Sequence, residues 1–303
     1  MTADISVKIG DIALRSPVIA ASGVWPYEED FWRGEKLDGL GAVCTKAISL
    51  EPRSGNSGVR IWETPAGVLN SIGLQNVGVD GYLNKYHKLA AGCLVPVIAN
   101  VVMERIEETS ETLRRLSGAE NIAAAELNIS CPNVDGDGMA WGMEACGAAK
   151  AVAAARKVWG GPLWVKMTPQ AADAPKVARA IEAEGADALV VANTWLGMSM
   201  DMATGKPAFN RVVAGLSGPA VFPLSLRLVW QVCGAVKIPV IGCGGVSTPS
   251  DCIGMMLAGA SAVEAGSAFF RDVNAARAIC EGLPEYISRY GKESLSEIIG
   301  LAR

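Results

Sequence analysis

Histidine is nearly absent from this sequence, and so is any cluster of basic residues. His87 is the single histidine among 303 residues, and the mixed polar and apolar segment around it predicts a solvated helix position. An acid–base enzyme built from this chain must therefore use Cys, Lys, Asp, Glu or Tyr. The net charge of −4 and the pI near 5.3, without a run of Lys and Arg, argue against nucleic acid as a partner.

Paired cysteines and long apolar runs are lacking as well. None of the eight cysteines forms a Cys-x-x-Cys pair, which predicts reduced thiols and no metal or iron–sulfur site on this chain. The amino terminus has no basic region followed by an apolar core, so it does not resemble a secretory signal. The longest apolar stretch, 89–103, is interrupted by Gly92, Pro96 and Asn100 and is shorter than the roughly 20 residues of a membrane helix. We expect a soluble, cytoplasmic protein.

Short apolar runs recur along the chain at the length of buried parallel strands. Helical patterns separate most of them, and eight strand–helix units with right-handed crossovers close into a (β/α)8 TIM barrel. A doubly wound open sheet is the alternative fold. The predicted strands are 18–21, 42–45, 97–101, 123–127, 163–167, 188–192, 239–242 and 262–265.

The segments outside this repeat are few. Segment 5–14 alternates apolar and polar residues around Gly10-Asp11, which predicts an N-terminal hairpin. Long loops follow strands 2, 4 and 6, and the first and last of these, 48–80 and 195–224, are rich in Gly, Pro, Ser and Asn. Long loops on the catalytic face usually build the substrate site. No linker interrupts the chain, so we expect one barrel domain over residues 1–303.

Glycines and one capping motif mark the predicted helix ends. Gly41, Gly118, Gly185 and Gly259 each precede a predicted strand, where we expect a helix C-cap. Thr248-Pro-Ser-Asp251 combines a cap residue, a proline and an acid three residues on, which is typical of a helix start.

The stretch 126–133, Glu-Leu-Asn-Ile-Ser-Cys-Pro-Asn, is the clearest candidate for an active-site segment. An apolar strand stops there and polar, reactive side chains begin, and chemistry collects at the carboxyl ends of such strands. A cysteine is more often a small buried hydrophobe than a catalyst. The setting of Cys131 among Asn128, Ser130 and Asn133 favours a catalytic role.

Two lysines and several asparagines lie at other strand ends. Lys46 directly follows one predicted strand and Lys166 lies near the end of another, where desolvation is costly unless an anion is present. An ion pair inside the barrel top is the alternative to ligand binding for each lysine. Neutral amides suit a planar ligand with carbonyl and N–H groups. The asparagines at this face are Asn70, Asn100, Asn128 and Asn193.

Glycine-rich turns end the last two strands. Gly244-Gly245 follows the seventh strand and Gly266-Ser267 follows the eighth. Loops at these places in such barrels commonly bind phosphate through backbone N–H groups, although tight turning alone also explains the glycines. Together they predict a phosphate-bearing ligand.

The chain resembles the dihydroorotate dehydrogenases over nearly its full length. The match rests on Asn128-Ile-Ser-Cys-Pro-Asn133, supported by several other motifs. The resemblance implies an FMN-binding barrel of the NAD-linked type B of class 1. The supporting motifs are Thr45-Lys46-Ala47, Glu51-Pro-Arg-Ser-Gly-Asn56, Glu63-Thr-Pro-Ala-Gly67, Asn70-Ser-Ile-Gly-Leu-Gln-Asn76, Asn193-Thr194, Gly215-Leu-Ser-Gly-Pro219, Gly244-Gly245 and Gly266-Ser267.

The resemblance also implies a mechanism and a set of binding residues. Cys131 takes a proton from C5 of dihydroorotate, hydride passes from C6 to N5 of FMN, and orotate is the product of this step in pyrimidine biosynthesis. The implied substrate ligands are Lys46, Asn70, Ser71, Ile72, Gly73, Leu74, Asn128, Asn133, Asn193 and Thr194. The implied FMN ligands are Ser22, Lys46, Ala47, Asn100, Asn128, Lys166, Ala192, Gly218, Gly244, Gly245, Gly266 and Ser267.

In the type B enzymes electrons pass to NAD through a second subunit with FAD and a [2Fe-2S] cluster, so the resemblance implies such a partner and a homodimer core within a heterotetramer.

The chain departs from the family pattern at two places. One is the lid segment 135–142, where Trp141 is expected to alter closure over the substrate, and the other is Gln170.

The competing hypotheses are a fumarate-reducing homodimer of the same family, a related FMN barrel acting on pyrimidine bases, a flavin-free phosphate-binding barrel and a non-catalytic scaffold.

Overall fold

Eight parallel strands form the centre of the molecule in the computed structural model, which describes residues 3–130 and 139–303. Each strand pairs with the next one along the chain and the eighth pairs with the first, so the sheet is a closed barrel. The strands, β1 to β8, are Val18–Ala20, Leu40–Cys44, Val97–Val102, Ile122–Asn128, Leu163–Lys166, Ala188–Val191, Val240–Cys243 and Ala262–Ala265. The predicted (β/α)8 barrel is confirmed, all eight predicted strands are present, and the open sheet is wrong.

Helices cover the outside of the barrel because their apolar stripes pack against strands that are buried on both faces. The first crossover has only the 3₁₀ turns Glu29–Trp32 and Gly34–Leu37, and other short 3₁₀ turns lie at Trp141–Met143, Pro219–Val221 and Leu295–Ile298. A continuous helical segment after β2 comprises Gly78–Gly81, Tyr82–Tyr86 in π-helical form and His87–Ala91. The remaining helices are Ile106–Leu116, Ala145–Arg156, Ala174–Ala183, Phe222–Cys233, Pro249–Leu257, Ala268–Arg271 and Ala275–Arg289.

The predicted caps are partly right. Thr248 accepts a hydrogen bond from the Asp251 N–H in a complete capping box, and Gly185 and Gly259 adopt the left-handed backbone conformation with φ of +87° and +107°. Gly41 lies inside β2 instead, where a Cβ would come within 2.1 Å of the Ser16 carbonyl oxygen.

Gly118 is the other wrong cap. It has no left-handed φ, and the left-handed residue of that turn is Asn121, with φ of +64°. A side-chain amide tolerates this conformation better than most residues do. The sequence pattern placed the turn correctly but assigned it to the wrong residue.

The long connections after β2 and β6 meet above the barrel. Each contributes two strands to one antiparallel sheet, which we call the accessory sheet, in the order Trp195–Met198, Val213–Ser217, Gly67–Asn70 and Ile61–Thr64. The connection after β6 also forms a small hairpin from Met200–Asp201 and Lys206–Pro207. Residues 131–138 of the long loop after β4 lie outside the described residues.

The N-terminal hairpin is confirmed as Val7–Ile9 paired with Ile12–Leu14. Ile9 and Leu14 are almost fully buried, so the hairpin covers part of the barrel core. Within the described residues, no helix combines the length and the apolar character needed to cross a lipid bilayer.

Candidate active site

The main cavity lies at the carboxyl ends of the barrel strands, beneath the accessory sheet, and has a volume of about 290 Å³. This is the end of a β/α barrel where ligands bind. Twelve of the sequence-predicted site residues line it: Ser22, Lys46, Asn70, Ile72, Lys166, Ala192, Asn193, Thr194, Gly244, Gly245, Gly266 and Ser267.

Other predicted residues lie beside this cavity without lining it. Asn128 accepts a hydrogen bond from the Asn193 side chain at 3.2 Å. Ala47 lines a second cavity of about 240 Å³ that shares Lys46 with the first, and Leu74 packs against the small apolar cluster of Ala47 and Val102. Asn100 is fully buried in the barrel, where its amide donates to Glu126.

The predicted loop glycines and Ser71 support the walls of the site. Gly73 and Gly218 have φ of +73° and +106°, and a Cβ on Gly218 would come within 2.5 Å of the Gly67 Cα. Ser71 accepts a hydrogen bond from the Asn56 side chain at 2.9 Å. Cys131 and Asn133 lie outside the described residues.

Lys46 provides a positive charge at the junction of the two cavities. Burial and the nearby Arg60 guanidinium lower the pKa of Lys46 below its usual value. Within ranges 3–130 and 139–303, no carboxylate forms an ion pair with it. The ion pair considered as the alternative for Lys46 is therefore not found there, and an anionic ligand would supply the missing partner.

Lys166 does have the alternative ion pair, and it lines the cavity as well. Its Nζ lies 2.5 Å from Glu264 Oε2 and 3.5 Å from Glu126 Oε1. Glu126 Oε1 also accepts a hydrogen bond from Asn100 Nδ2 at 2.5 Å and one from the Cys44 thiol at 3.5 Å. These five side chains, from β2, β3, β4, β5 and β8, form what we call the core charge cluster.

Burial dominates the electrostatics of the core charge cluster. It raises the pKa of Glu264 well above the usual value, and the neighbouring Glu126 carboxylate raises it further. Burial opposes ionisation of Glu126 too, but the Lys166 ammonium and the hydrogen bond from Asn100 hold the pKa of Glu126 below the usual value. For Lys166 the cost of burial is outweighed by the two carboxylates, which raise its pKa.

Backbone donors are available at the ends of β7 and β8. Among the described residues, no acceptor is found for the N–H groups of Gly244, Gly245, Gly266 or Ser267, and all four residues line the cavity. Gly244 and Gly245 have φ of +123° and +83°, so the β7 turn requires glycine. Such a set of unused N–H groups suits an anion with several acceptor oxygens.

Side-chain amides organise another part of the site. Asn193 Oδ1 accepts from the Thr194 N–H at 2.8 Å, while its Nδ2 donates to Asn128. Asn70 Nδ2 donates to the Gly215 carbonyl at 3.3 Å across the accessory sheet. These bonds fix the amide orientations and leave further donor and acceptor capacity towards the cavity.

Comparison with known proteins identifies this arrangement. The sequence pattern of the family described as dihydroorotate dehydrogenase matches residues 4–287. The chain belongs to the dihydroorotate dehydrogenase family. Members of this family are FMN-dependent in general.

Several curated relatives are similar over almost their whole length, and each is named dihydroorotate dehydrogenase B (NAD(+)), catalytic subunit. The relative from Trichlorobacter lovleyi is 44% identical over 296 residues, which cover 98% of this chain and 97% of that protein. The relative from Phocaeicola vulgatus is 42% identical, covering 98% of each chain. That from Desulforamulus reducens is 42% identical, covering 100% and 99%.

The residues of the cavity fit the FMN that the dehydrogenase family uses. The N–H groups of the two glycine turns, which have no acceptor among the described residues, suit a phosphate, and Lys166 of β5 also lines the cavity. Apolar side chains, including Val68, Trp195 and Leu216, line the cavity and suit the apolar faces of a flavin ring.

Trp141 and Gln170, the described residues at the two family departures, do not line the cavity. Trp141 is 3% exposed, and its indole N–H donates to the Glu104 carbonyl at 3.1 Å. Its ring is therefore part of the packing and does not line the cavity. Gln170 is held in a local turn by a 2.6 Å hydrogen bond from the Thr168 hydroxyl. Residues 135–138 of the lid lie outside the described residues.

Glu264 is the main site residue that sequence reasoning missed, and the partnership of Glu126 was also missed. Both lie in apolar strands and are at most 1% exposed. The sequence contains a signal for this contact. A lone carboxylate inside a buried strand requires a buried partner, and the position of Lys166 near a strand end predicts an anion beside it. His87, expected to be solvated, is partly buried, and its Nδ1 finds no partner among the described residues.

Proposed function

We propose that this chain oxidises dihydroorotate to orotate with FMN in pyrimidine biosynthesis. The observation that carries the proposal is one cavity with two chemically different ends. Among the described residues, the four N–H groups at β7 and β8 have no acceptor and Lys46, which has amides beside it, has no ion-pair partner. The first end suits a phosphate, and the second suits a ring bearing a carboxylate, carbonyls and N–H groups. Bound FMN supplies the hydride acceptor.

The chain's own residues divide the remaining work. Lys46 binds the substrate carboxylate, while Asn70, Asn128, Asn193 and Thr194 bind the ring amides and orient C5. In this proposal Cys131, which follows the end of β4 in sequence, removes the proton from C5. Lys166 places a positive charge beside the flavin and stabilises its reduced form.

Replacing Cys131 with serine tests the proton transfer. A serine hydroxyl is a far weaker base than a thiolate, so we expect flavin reduction by dihydroorotate to slow by at least about 100-fold while FMN remains bound. The wild-type rate should rise towards alkaline pH, because an unperturbed thiol has a pKa of about 8.5. Stopped-flow absorbance measures both rates.

The matched control is Cys146→Ser, since Cys146 is an exposed cysteine on the neighbouring helix. This control should reduce its flavin at the wild-type rate. If Cys131→Ser also reduces flavin at the wild-type rate, Cys131 is not the base. A chain that purifies without flavin and does not take up added FMN would contradict the proposed function as a whole.

We further propose that electrons leave for NAD through a partner subunit that carries FAD and a [2Fe-2S] cluster, with a homodimer of this chain at the core of a heterotetramer. Two facts support a separate partner: the relatives are named catalytic subunits with NAD(+), and this sequence has no Cys-x-x-Cys pair.

The test compares electron acceptors. The chain is purified alone and with proteins that co-purify from its own host, and dihydroorotate oxidation is followed with NAD or fumarate. We expect NAD reduction only in the complex, together with iron and a second flavin. Rapid turnover of the isolated chain with fumarate would contradict the NAD-linked assignment.

A further inference from the structure

The core charge cluster contains more negative than positive groups. Lys166 supplies one ammonium, whereas Glu126 and Glu264 supply two carboxyl groups, and all three side chains are at most 6% exposed. Carboxyl oxygens of the two acids lie within 4.8 Å of each other. If both acids were ionised, the barrel interior would hold an uncompensated negative charge.

The other described groups around the cluster do not supply the missing positive charge. Each strand that contributes a polar or titratable side chain contributes one: Cys44 from β2, Asn100 from β3, Glu126 from β4, Lys166 from β5, Cys243 from β7 and Glu264 from β8. Burial raises the pKa of Cys243 to about 12 and that of Cys44 well above its usual value, so both thiols are neutral. A neutral amide and neutral thiols leave the imbalance unchanged.

A metal ion does not resolve the imbalance either. Cys44, Glu126 and Glu264 offer three ligand atoms within 4.8 Å of one another. The Lys166 ammonium already contacts both carboxyl groups, however, and so occupies the position that a cation would need. Protonation of one carboxyl group removes the excess negative charge, because two close carboxyl groups in a dry site cannot both ionise.

We propose that Glu126 and Glu264 hold a single proton between them and, with Lys166, form an electrically neutral unit that positions the Lys166 ammonium at the floor of the cavity. Within the core charge cluster, three buried oxygens have no partner among the described residues, namely Glu126 Oε2, Glu264 Oε1 and Asn100 Oδ1. They include the carboxyl oxygens that would carry this proton and one amide oxygen that could accept it.

The neutral unit has a consequence that rests on the proposed function. A second ionised carboxylate would cancel the field of the Lys166 ammonium at a neighbouring flavin and disfavour its anionic reduced form. With one carboxyl group protonated, Lys166 balances only one carboxylate. Glu126 and Glu264 therefore act as positioning residues, through the place and effective charge of Lys166.

Infrared spectroscopy of the full chain, labelled with ¹³C at the glutamate carboxyl groups and purified with its natural complement of cofactor, tests the shared proton directly. We expect the carbonyl stretch of one protonated glutamate at pH 8, shifted by ¹³C and by exchange into D₂O. The band should disappear in both Glu126→Gln and Glu264→Gln, because either change leaves one carboxylate for one ammonium. It should persist in the control Glu285→Gln, which alters an exposed helix residue.

The absence of the band from the wild-type chain would overturn the inference, and this measurement needs no variant to fold. Persistence of the band in either cluster variant would also overturn it. Failure of the proposed function would give a different result. If the wild-type chain shows the carboxyl band but neither contains nor binds FMN, the shared proton is supported and the role beside the flavin is contradicted.

Discussion

Replacing Lys166 with methionine isolates the effect of the buried charge. Methionine retains most of the apolar stem and removes the ammonium that contacts Glu126 and Glu264. Removal of one partner from a buried ion pair leaves the other charge uncompensated, which typically costs about 3–5 kcal/mol. The question is how the core charge cluster responds to this loss.

The cost has an upper limit that depends on pH. Glu126, ionised in the wild type, can become neutral by binding a proton, and at pH 7 this costs about 3.4 kcal/mol for a carboxyl group whose usual pKa is 4.5. The variant's native state then binds one more proton relative to its unfolded state than the wild type does. Its deficit in unfolding free energy should therefore shrink by about 1.4 kcal/mol for each pH unit below 7, and nearly vanish around pH 4.5 to 5.

Urea unfolding of flavin-stripped protein at several pH values measures this difference without a contribution from ligand binding. Lys157→Met provides the control, because Lys157 is an exposed residue at a helix end, and it should change stability by less than about 0.5 kcal/mol at every pH. A deficit for Lys166→Met that is independent of pH, or that grows as the pH falls, would refute the reasoning.

Two further predictions concern the ligand ends of the cavity. Lys46→Met should weaken orotate binding by about 10- to 100-fold, the usual cost of one charged hydrogen bond. Wild-type binding should also weaken as the pH rises past the lowered pKa of Lys46, because a neutral amine no longer attracts the carboxylate. Calorimetric titration measures both effects, and orotate binding that is independent of pH would contradict this role. Gly245→Ala should lower the free energy of unfolding by at least about 1 kcal/mol and reduce the FMN content, because its Cβ would lie 2.6 Å from the Phe222 backbone nitrogen at a φ of +83°. In the control Gly118→Ala the added Cβ has no atom within 4 Å, so stability and FMN content should both stay unchanged.

The barrel was predictable because its signals are local. Apolar runs mark the strands, and polar residues near their ends mark one face, where Lys46, Asn193 and the turn at Gly244 were expected and where they line the cavity. The capping box at Thr248 is also read from four consecutive residues.

Other features depend on contacts between distant segments. Gly41 was predicted as a cap, but the constraint on it is the approach of Ser16, 25 residues earlier. Glu264 meets Lys166 across the barrel, 98 residues away. The accessory sheet was predicted only as two separate loops, because its register depends on pairing between them.

The pairing of Asn70 with Gly215 across the accessory sheet has a practical consequence for protein engineering. A Cβ on Gly215 would come within 2.3 Å of the Thr194 hydroxyl, so this strand tolerates little displacement. If the connection after β2 were replaced by that of another barrel while the connection after β6 was kept, the new strand and Val213–Ser217 would no longer be matched in register. A chimera intended to accept a different substrate should therefore exchange both connections as one cassette.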